Sequence, residues 1–252
     1  MKNIFLVLLQ ICVGFNLNAQ PNQIDRNGKK QGAWQKNYPG SNVPQYTGQF
    51  LDDLPIGIFI YYFETGQKKA EIKHGLPNNT AAVMLYFENG QILSDGFYKH
   101  GRKDSLWYSY AISGELICAE NYKNDVLEGK CVYYFKEGQY LENKLQIQQI
   151  THFHNGEPNG TYQEYFYNGN LKMSGSYTEG EKNGLWTEYY NSGEQMVTIN
   201  YKNNLQHGWA TYFDKSGEVK NKIMYRKGRA LSEKELSEFL NWCRAHNQDP
   251  NL

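Results

Sequence analysis

An all-β fold is predicted for this chain: an elongated, single-layer antiparallel β-meander of stacked hairpin repeats, finished by a short C-terminal capping helix. Three observations carry the expectation. The stretch "GLWTEYYNSGE" from Gly184 returns as "GWATYFDKSGE" from Gly208 and "GTYQEYFYNGN" from Gly160, each displaced by 24 residues. The composition is hydrophilic, yet 15% aromatic with 21 tyrosines, leaving too few aliphatic residues for the core of a two-layer globule. Each copy also ends in a glycine preceded mostly by Asn, Ser or Thr, a β-turn signal. A fixed period of this kind marks an architecture whose units contact chiefly their neighbours.

At the N-terminus, Lys2 precedes an apolar run from Ile4 to Phe15, and Ala19 supplies a small residue where a leader would be cut. Residues 1–19 therefore read as a signal peptide, too short in its apolar part to favour an uncleaved anchor. The mature protein is expected to be exported, with periplasm, cell surface and extracellular space left open, and no later segment is expected to cross a membrane. Residues 20–56 form a degenerate repeat and cap around "GAWQKNYPG" from Gly32, with Pro39, Pro44 and Pro55 blunting the first strands.

Residues 57–230 carry seven registered units, beginning at Gly57, Ala81, Ser105, Gly129, Gly160, Gly184 and Gly208. Counting each first residue as zero, position five is Tyr62, Tyr86, Tyr110, Tyr134, Tyr165, Tyr189 and Phe213. Position nine is Gly66, Gly90, Gly114, Gly138, Gly169, Gly193 and Gly217. Asn89-Gly90 and Asn168-Gly169 point to two-residue type I′ turns, so each unit is expected to be a hairpin in which position two faces position fifteen. Tyr162 would then oppose Gly175, and Val83 would oppose Gly96. The step from Gly129 to Gly160 carries an insertion near 139–153, within "YLENKLQIQQITHFH", whose Leu145, Ile147 and Ile150 are expected to pack on the sheet, with a partner-binding edge as the alternative. Ser232 and Glu235 form a capping-box pattern ahead of Leu236, Phe239, Leu240 and Cys243 at helical spacing, giving a capping helix over 231–246 and a tail over 247–252.

Because 26 basic residues balance 26 acidic ones, no net field draws the chain to nucleic acid or anionic lipid. Three cysteines follow the leader, Cys118, Cys131 and Cys243, an odd count that argues against a disulfide framework. Two unpaired strand cysteines is the preferred reading of Cys118 and Cys131, with pairing as the alternative. No nucleophile elbow, phosphate-binding loop or dinucleotide fingerprint is present. His152 and His154 share one strand face, but nothing completes a metal set around them, and two surface histidines is the reading taken. The expectation is of no enzyme, no cofactor and no metal.

The pattern G-x-W-x-x-Y-Y-x-x-G, with its Gly/Asn-rich linkers, resembles the MORN repeat, and more closely the bacterial variant found in YwqK-type, antitoxin-like proteins. The resemblance spans Gly32 to Gly228. It implies stacked hairpins with an aromatic-lined face used for protein contacts or, in some relatives, membrane association. Ala111 and Asp214 at position six, with Cys131 and Ala210 at position two, depart from the pattern and suggest locally weaker units or altered surface. The leading functional expectation is an exported, non-catalytic protein-binding or scaffolding module. Glycan binding on an aromatic groove and antitoxin-like neutralisation of a partner toxin are the alternatives, and an envelope surface is a further possible partner. The position-five column is the candidate binding set, although most of the aromatic columns are expected to be architecture.

Overall fold

The computed structural model describes residues 20–136, 140–141 and 144–251. The expected signal peptide and Gly138 lie outside them. The chain divides into two compact units, Met1–Gly75 and Leu76–Leu252.

In the first unit, strands Gln23–Ile24, Lys30–Asn37, Pro44–Leu51, Leu54–Tyr62 and Lys68–Leu76 follow one another, each antiparallel to its predecessor. Asn22, at φ 67°, turns the chain away from the outer strand. It caps that edge in passing: its amide donates to the Ala33 carbonyl at 2.8 Å, and its side-chain oxygen accepts from the Gln35 amide at 2.9 Å. An edge treated this way offers fewer free backbone groups to another chain.

The second unit is a meander of the same kind, through Thr80–Tyr86, Ile92–Lys99, Arg102–Tyr110, Leu116–Lys123, Val126–Leu127, Gly129–Tyr134, Ile147–His154, Glu157–Tyr165, Leu171–Thr178, Glu181–Tyr189, Gln195–Lys202, Leu205–Phe213, Val219–Arg226 and Arg229–Ala230. All neighbours are antiparallel and the sheet is open rather than closed into a barrel. The insertion adds a small separate ladder, Tyr140–Leu141 with Lys144–Leu145, while Ile150 packs into the main sheet at 9% exposure. One helix, Glu233–Ala245, closes the unit, with the capping box formed in both directions between Ser232 and Glu235. The predicted all-β meander with a terminal helix is therefore the fold.

Two kinds of turn alternate, and they differ from the sequence expectation. At position nine, Gly66, Gly90, Gly114, Gly169, Gly193 and Gly217 all have positive φ, but the residue before each does not. The Gly66 amide donates to the Phe63 carbonyl and the Phe63 amide to the Gln67 carbonyl, a pattern repeated at Phe87, Ala111, Phe166, Tyr190 and Asp214. These are three-residue loops, a type I turn followed by a glycine bulge, not the type I′ turns expected from Asn89-Gly90 and Asn168-Gly169. Two-residue turns with positive φ at both centres occur instead between repeats, at Asp52-Asp53, His100-Gly101, Asn124-Asp125, Asn155-Gly156, Glu179-Gly180, Asn203-Asn204 and Lys227-Gly228. Flanking pairs such as Leu51 with Leu54 and Lys202 with Leu205 fix their length.

A second bulge sits at position zero, where Gly57, Gly129, Gly160, Gly184 and Gly208 have positive φ and Ser105 adopts φ 62°. The two bulges set which side chains share a face. Positions two, four, thirteen, fifteen and seventeen form a tryptophan face; positions one, three, five and fourteen form a tyrosine face.

The core runs along the middle of the tryptophan face. Tyr162 does pair with Gly175 and Val83 with Gly96, but the space above each glycine is filled from the following strand. A Cβ on Gly175 would lie 2.2 Å from the Trp186 ring, on Gly96 2.4 Å from Trp107, and on Gly48 2.5 Å from Phe59. Trp107 and Trp186 are consequently 1% and 3% exposed, and each indole N–H donates to a carbonyl on the preceding strand, Phe97 and Ser176. Where position two is small, position fifteen of the preceding unit is large. Ala210 lies opposite Ile199, and the register that pairs Val132 with Ala119 brings Cys131 opposite Glu120. Ala210 and Cys131 are both 0% exposed. The expectation that these departures weaken their units is thus corrected: bulk has moved to the adjacent strand, as close packing requires.

Candidate binding surface

The seven position-five rings all lie half-buried at the end of the first strand of their units, on the tyrosine face. Several hydroxyls are tied back to the preceding hairpin. Tyr62 Oη lies 3.4 Å from Thr47 Oγ1, and Tyr189 Oη lies 3.4 Å from Ser174 Oγ. Tyr110 is hydrogen-bonded to the Asp95 carboxylate. Burial pushes the Tyr110 hydroxyl well above its ordinary pKa, with Asp95 adding to the rise, while burial also raises Asp95 against the lowering effect of that hydrogen bond. The column is therefore a row of half-buried struts. Position six adds another strut in places: Tyr38 donates to the Tyr62 carbonyl at 2.6 Å and Tyr190 to the Phe213 carbonyl at 2.9 Å. Elsewhere position six opens the turn through its backbone, so Ala111 and Asp214 serve there without an aromatic ring. Asp214 accepts from the amides of Ser216 and Glu218 and pairs with Lys220.

Aliphatic side chains accompany the column on the same face and stay in solvent. In the first unit Leu54 is 68% and Ile58 56% exposed, alternating along one strand with Ile56, Ile60 and Tyr62; Leu51 pairs with Leu54 across the turn. In the second unit Leu185 is 55% exposed at position one, with Leu205, Val126 and Leu93 also exposed. Sequence reasoning missed these residues, because alternation identifies two faces without saying which one lacks a cover.

The tryptophan face differs in chemistry. Lys103 extends over Trp107 and Tyr122, 4.5 and 4.7 Å from their ring centroids, and Lys182 over Trp186 and Tyr201 at 4.1 and 5.4 Å. In the first unit Lys30 lies similarly over Trp34 and Phe50. Cation–π contacts of this kind each contribute about 0.5–2 kcal/mol, and they cover rings that would otherwise meet water. Among the described residues no group of three side chains is placed to hold a metal. His152 instead meets Thr161, and His154 meets Glu128 and Asn155, so the two rings turn to different neighbours. Cys118 and Cys131 are free thiols.

Comparison with known families supports the repeat assignment. The model of the MORN repeat variant matches residues 82–100, 158–179 and 182–203, all in the second unit. MORN repeats form a non-catalytic family of protein or membrane interaction modules. No curated protein matches this chain. Among the described residues no helix is long and apolar enough to cross a membrane.

Proposed function

We propose that this chain is an exported, non-catalytic module that captures a protein partner on its tyrosine face. One observation carries the reading: the strand Leu54–Tyr62 presents Leu54, Ile56, Ile58, Ile60 and Tyr62 on a single side, with Leu54 and Ile58 more than half exposed. A run of uncovered aliphatics beside tyrosines has the composition of a protein interface core, where apolar and aromatic side chains replace charge. Leu185 beside Tyr189 repeats the arrangement in the second unit. Glycan stacking would favour exposed flat rings, and the position-five rings are half-buried.

Quantitative affinity capture from envelope and secreted fractions tests the reading. Proteins held by the wild type should be lost from an Ile58→Lys/Leu185→Lys double variant and kept by a Lys182→Gln variant on the other face. Equal capture by all three would overturn it. Export is tested separately by the mass of the protein's N-terminus, expected to begin at Gln20.

A further inference from the structure

We propose that Glu120 marks a second recognition site, on the tryptophan face of the second unit, for the guanidinium of an arginine side chain of a protein partner. The site lies on the opposite face from the one proposed above and stands independently of it.

The position is anomalous within its own row. Glu120 pairs with Trp107 on one side and by register meets Cys131 on the other. The equivalent residues in neighbouring units are Gly96, Thr151, Gly175, Ile199 and Ile223, so a carboxylate stands where the repeat otherwise places an uncharged residue. Partial burial of a charge among apolar side chains is unfavourable unless it is hydrogen-bonded. Two tyrosines meet that requirement: Tyr122 donates to Oε2 at 2.8 Å and Tyr133 to Oε1 at 3.0 Å. Both donors are neutral, so the negative charge is held in place rather than cancelled. Each carboxylate oxygen keeps further acceptor capacity.

Glu164, on the same face, shows how such a group looks when the chain supplies its own cation. Tyr162 donates to one oxygen at 3.3 Å and Lys172 to the other at 2.6 Å. At Glu120 both of those places are taken by tyrosine, and it takes part in none of the ion pairs among the described residues. Lys103 lies instead over the rings of Trp107 and Tyr122. A guanidinium is planar, accepts bidentate pairing with a carboxylate and stacks on aromatic rings. Its delocalised charge also tolerates the nearby Lys103 ammonium better than a second point charge would. Because Lys103 covers the Trp107 and Tyr122 rings, the guanidinium is expected to approach from the Tyr133 side.

The test is an NMR titration of the isotopically labelled protein with N-acetyl-arginine N-methylamide, using the uncharged citrulline counterpart as control. Saturable shifts centred on Tyr122, Tyr133 and Trp107 are expected with the arginine compound, at a midpoint at least about tenfold lower than with citrulline. Glu120→Gln should abolish the difference, Tyr133→Phe should weaken binding with the carboxylate still present, and Glu188→Gln, on the same face, should leave it unchanged. Equal responses to the two compounds, no saturable shift, or an unaltered Glu120→Gln variant would each overturn the proposal. If Glu120→Gln does not fold, the arginine-to-citrulline contrast in the wild type decides, and shifts centred elsewhere count against it. Loss of partner capture in the Ile58→Lys/Leu185→Lys variant bears only on the tyrosine face, so the two readings fail separately.

Discussion

At the scale of single residues, glycines that look alike in the repeat do different work. Gly90 has φ +86° and open space where a Cβ would go, so Gly90→Ala is expected to cost about 1–2 kcal/mol through backbone strain alone. Gly175 has an ordinary extended backbone, but its Cβ would enter the Trp186 ring. Gly175→Ala should cost about 1–3 kcal/mol through overpacking, and Trp186→Ala in the same protein should recover part of that loss. Urea unfolding of the two single variants and the double variant measures the coupling; additive costs would contradict the packing account. His74 makes a different kind of prediction. Its ring stands edge-on to Phe59 at 5.2 Å, its Nε2 is buried without a hydrogen-bond partner, and burial lowers its pKa. The folded state therefore favours the neutral ring. Above the unfolded value of about 6.5 the two states bind protons equally and there is no penalty; below it the unfolded chain is protonated first, so stability falls with pH until the folded pKa is passed. The urea midpoint should decline from about pH 7 to pH 5 more steeply in the wild type than in His74→Tyr, the residue sister units carry there. Asp214 and Glu235, each lowered to about 2 chiefly by side-chain hydrogen bonds, contribute in a separate window, lost only as pH falls below the ordinary carboxylate range.

Among the elements, the terminal helix is the most self-sufficient in its sequence logic. Ser232 accepts from the Glu235 amide, Glu235 accepts from the Ser232 amide, and Arg229 grips the same carboxylate at 2.7 and 3.1 Å. Arg226 lies over Phe239 at 4.5 Å. Ser232→Ala should cost about 1 kcal/mol, seen as faster hydrogen exchange in the first helical turn. Glu235→Ala should loosen that turn further, since it removes the cap and the Arg229 contact together. This helix was legible because both halves of its signal are local. The turns were less so: an Asn-Gly pair is compatible with a two-residue or a three-residue loop, and the choice depends on whether position six closes the ladder. Here it does, and only glycine takes the left-handed conformation. The true two-residue turns fall in linkers with varied pairs, including Lys227-Gly228 and Glu179-Gly180, whose common property is tolerance of positive φ rather than a shared dipeptide.

Across the whole molecule, period and face alternation were readable from spacing, but the matching of position fifteen to the next unit's position two was not. That match joins residues on different hairpins, such as Gly175 with Trp186 and Ile199 with Ala210, and it appears only once strand register is known. The same ignorance of register hid Glu120 and left open which face keeps its aliphatics in water. The rule has a consequence for how units are exchanged. Removing 24 residues keeps every remaining side chain on its own face, whereas removing 23 would reverse the faces downstream, yet two deletions of 24 should differ. Deleting residues 187–210 leaves Gly175 beneath Trp186, and Trp186 then meets Ile223 in place of Ile199, one isoleucine for another. Deleting residues 184–207 places Ala210 over Gly175 and leaves a void the size of an indole. The first variant is expected to fold and to exceed the second in stability by on the order of 3 kcal/mol, the usual scale for an unfilled aromatic site. Both lose the Asn200 contact to Asn251; the Trp209 amide that donates to the same oxygen is kept only in the second, so a tail difference would work against the expected order. Circular dichroism and urea unfolding compare the pair directly, and equal stability would mean that neighbouring hairpins are held by their backbone ladder rather than by complementary volume.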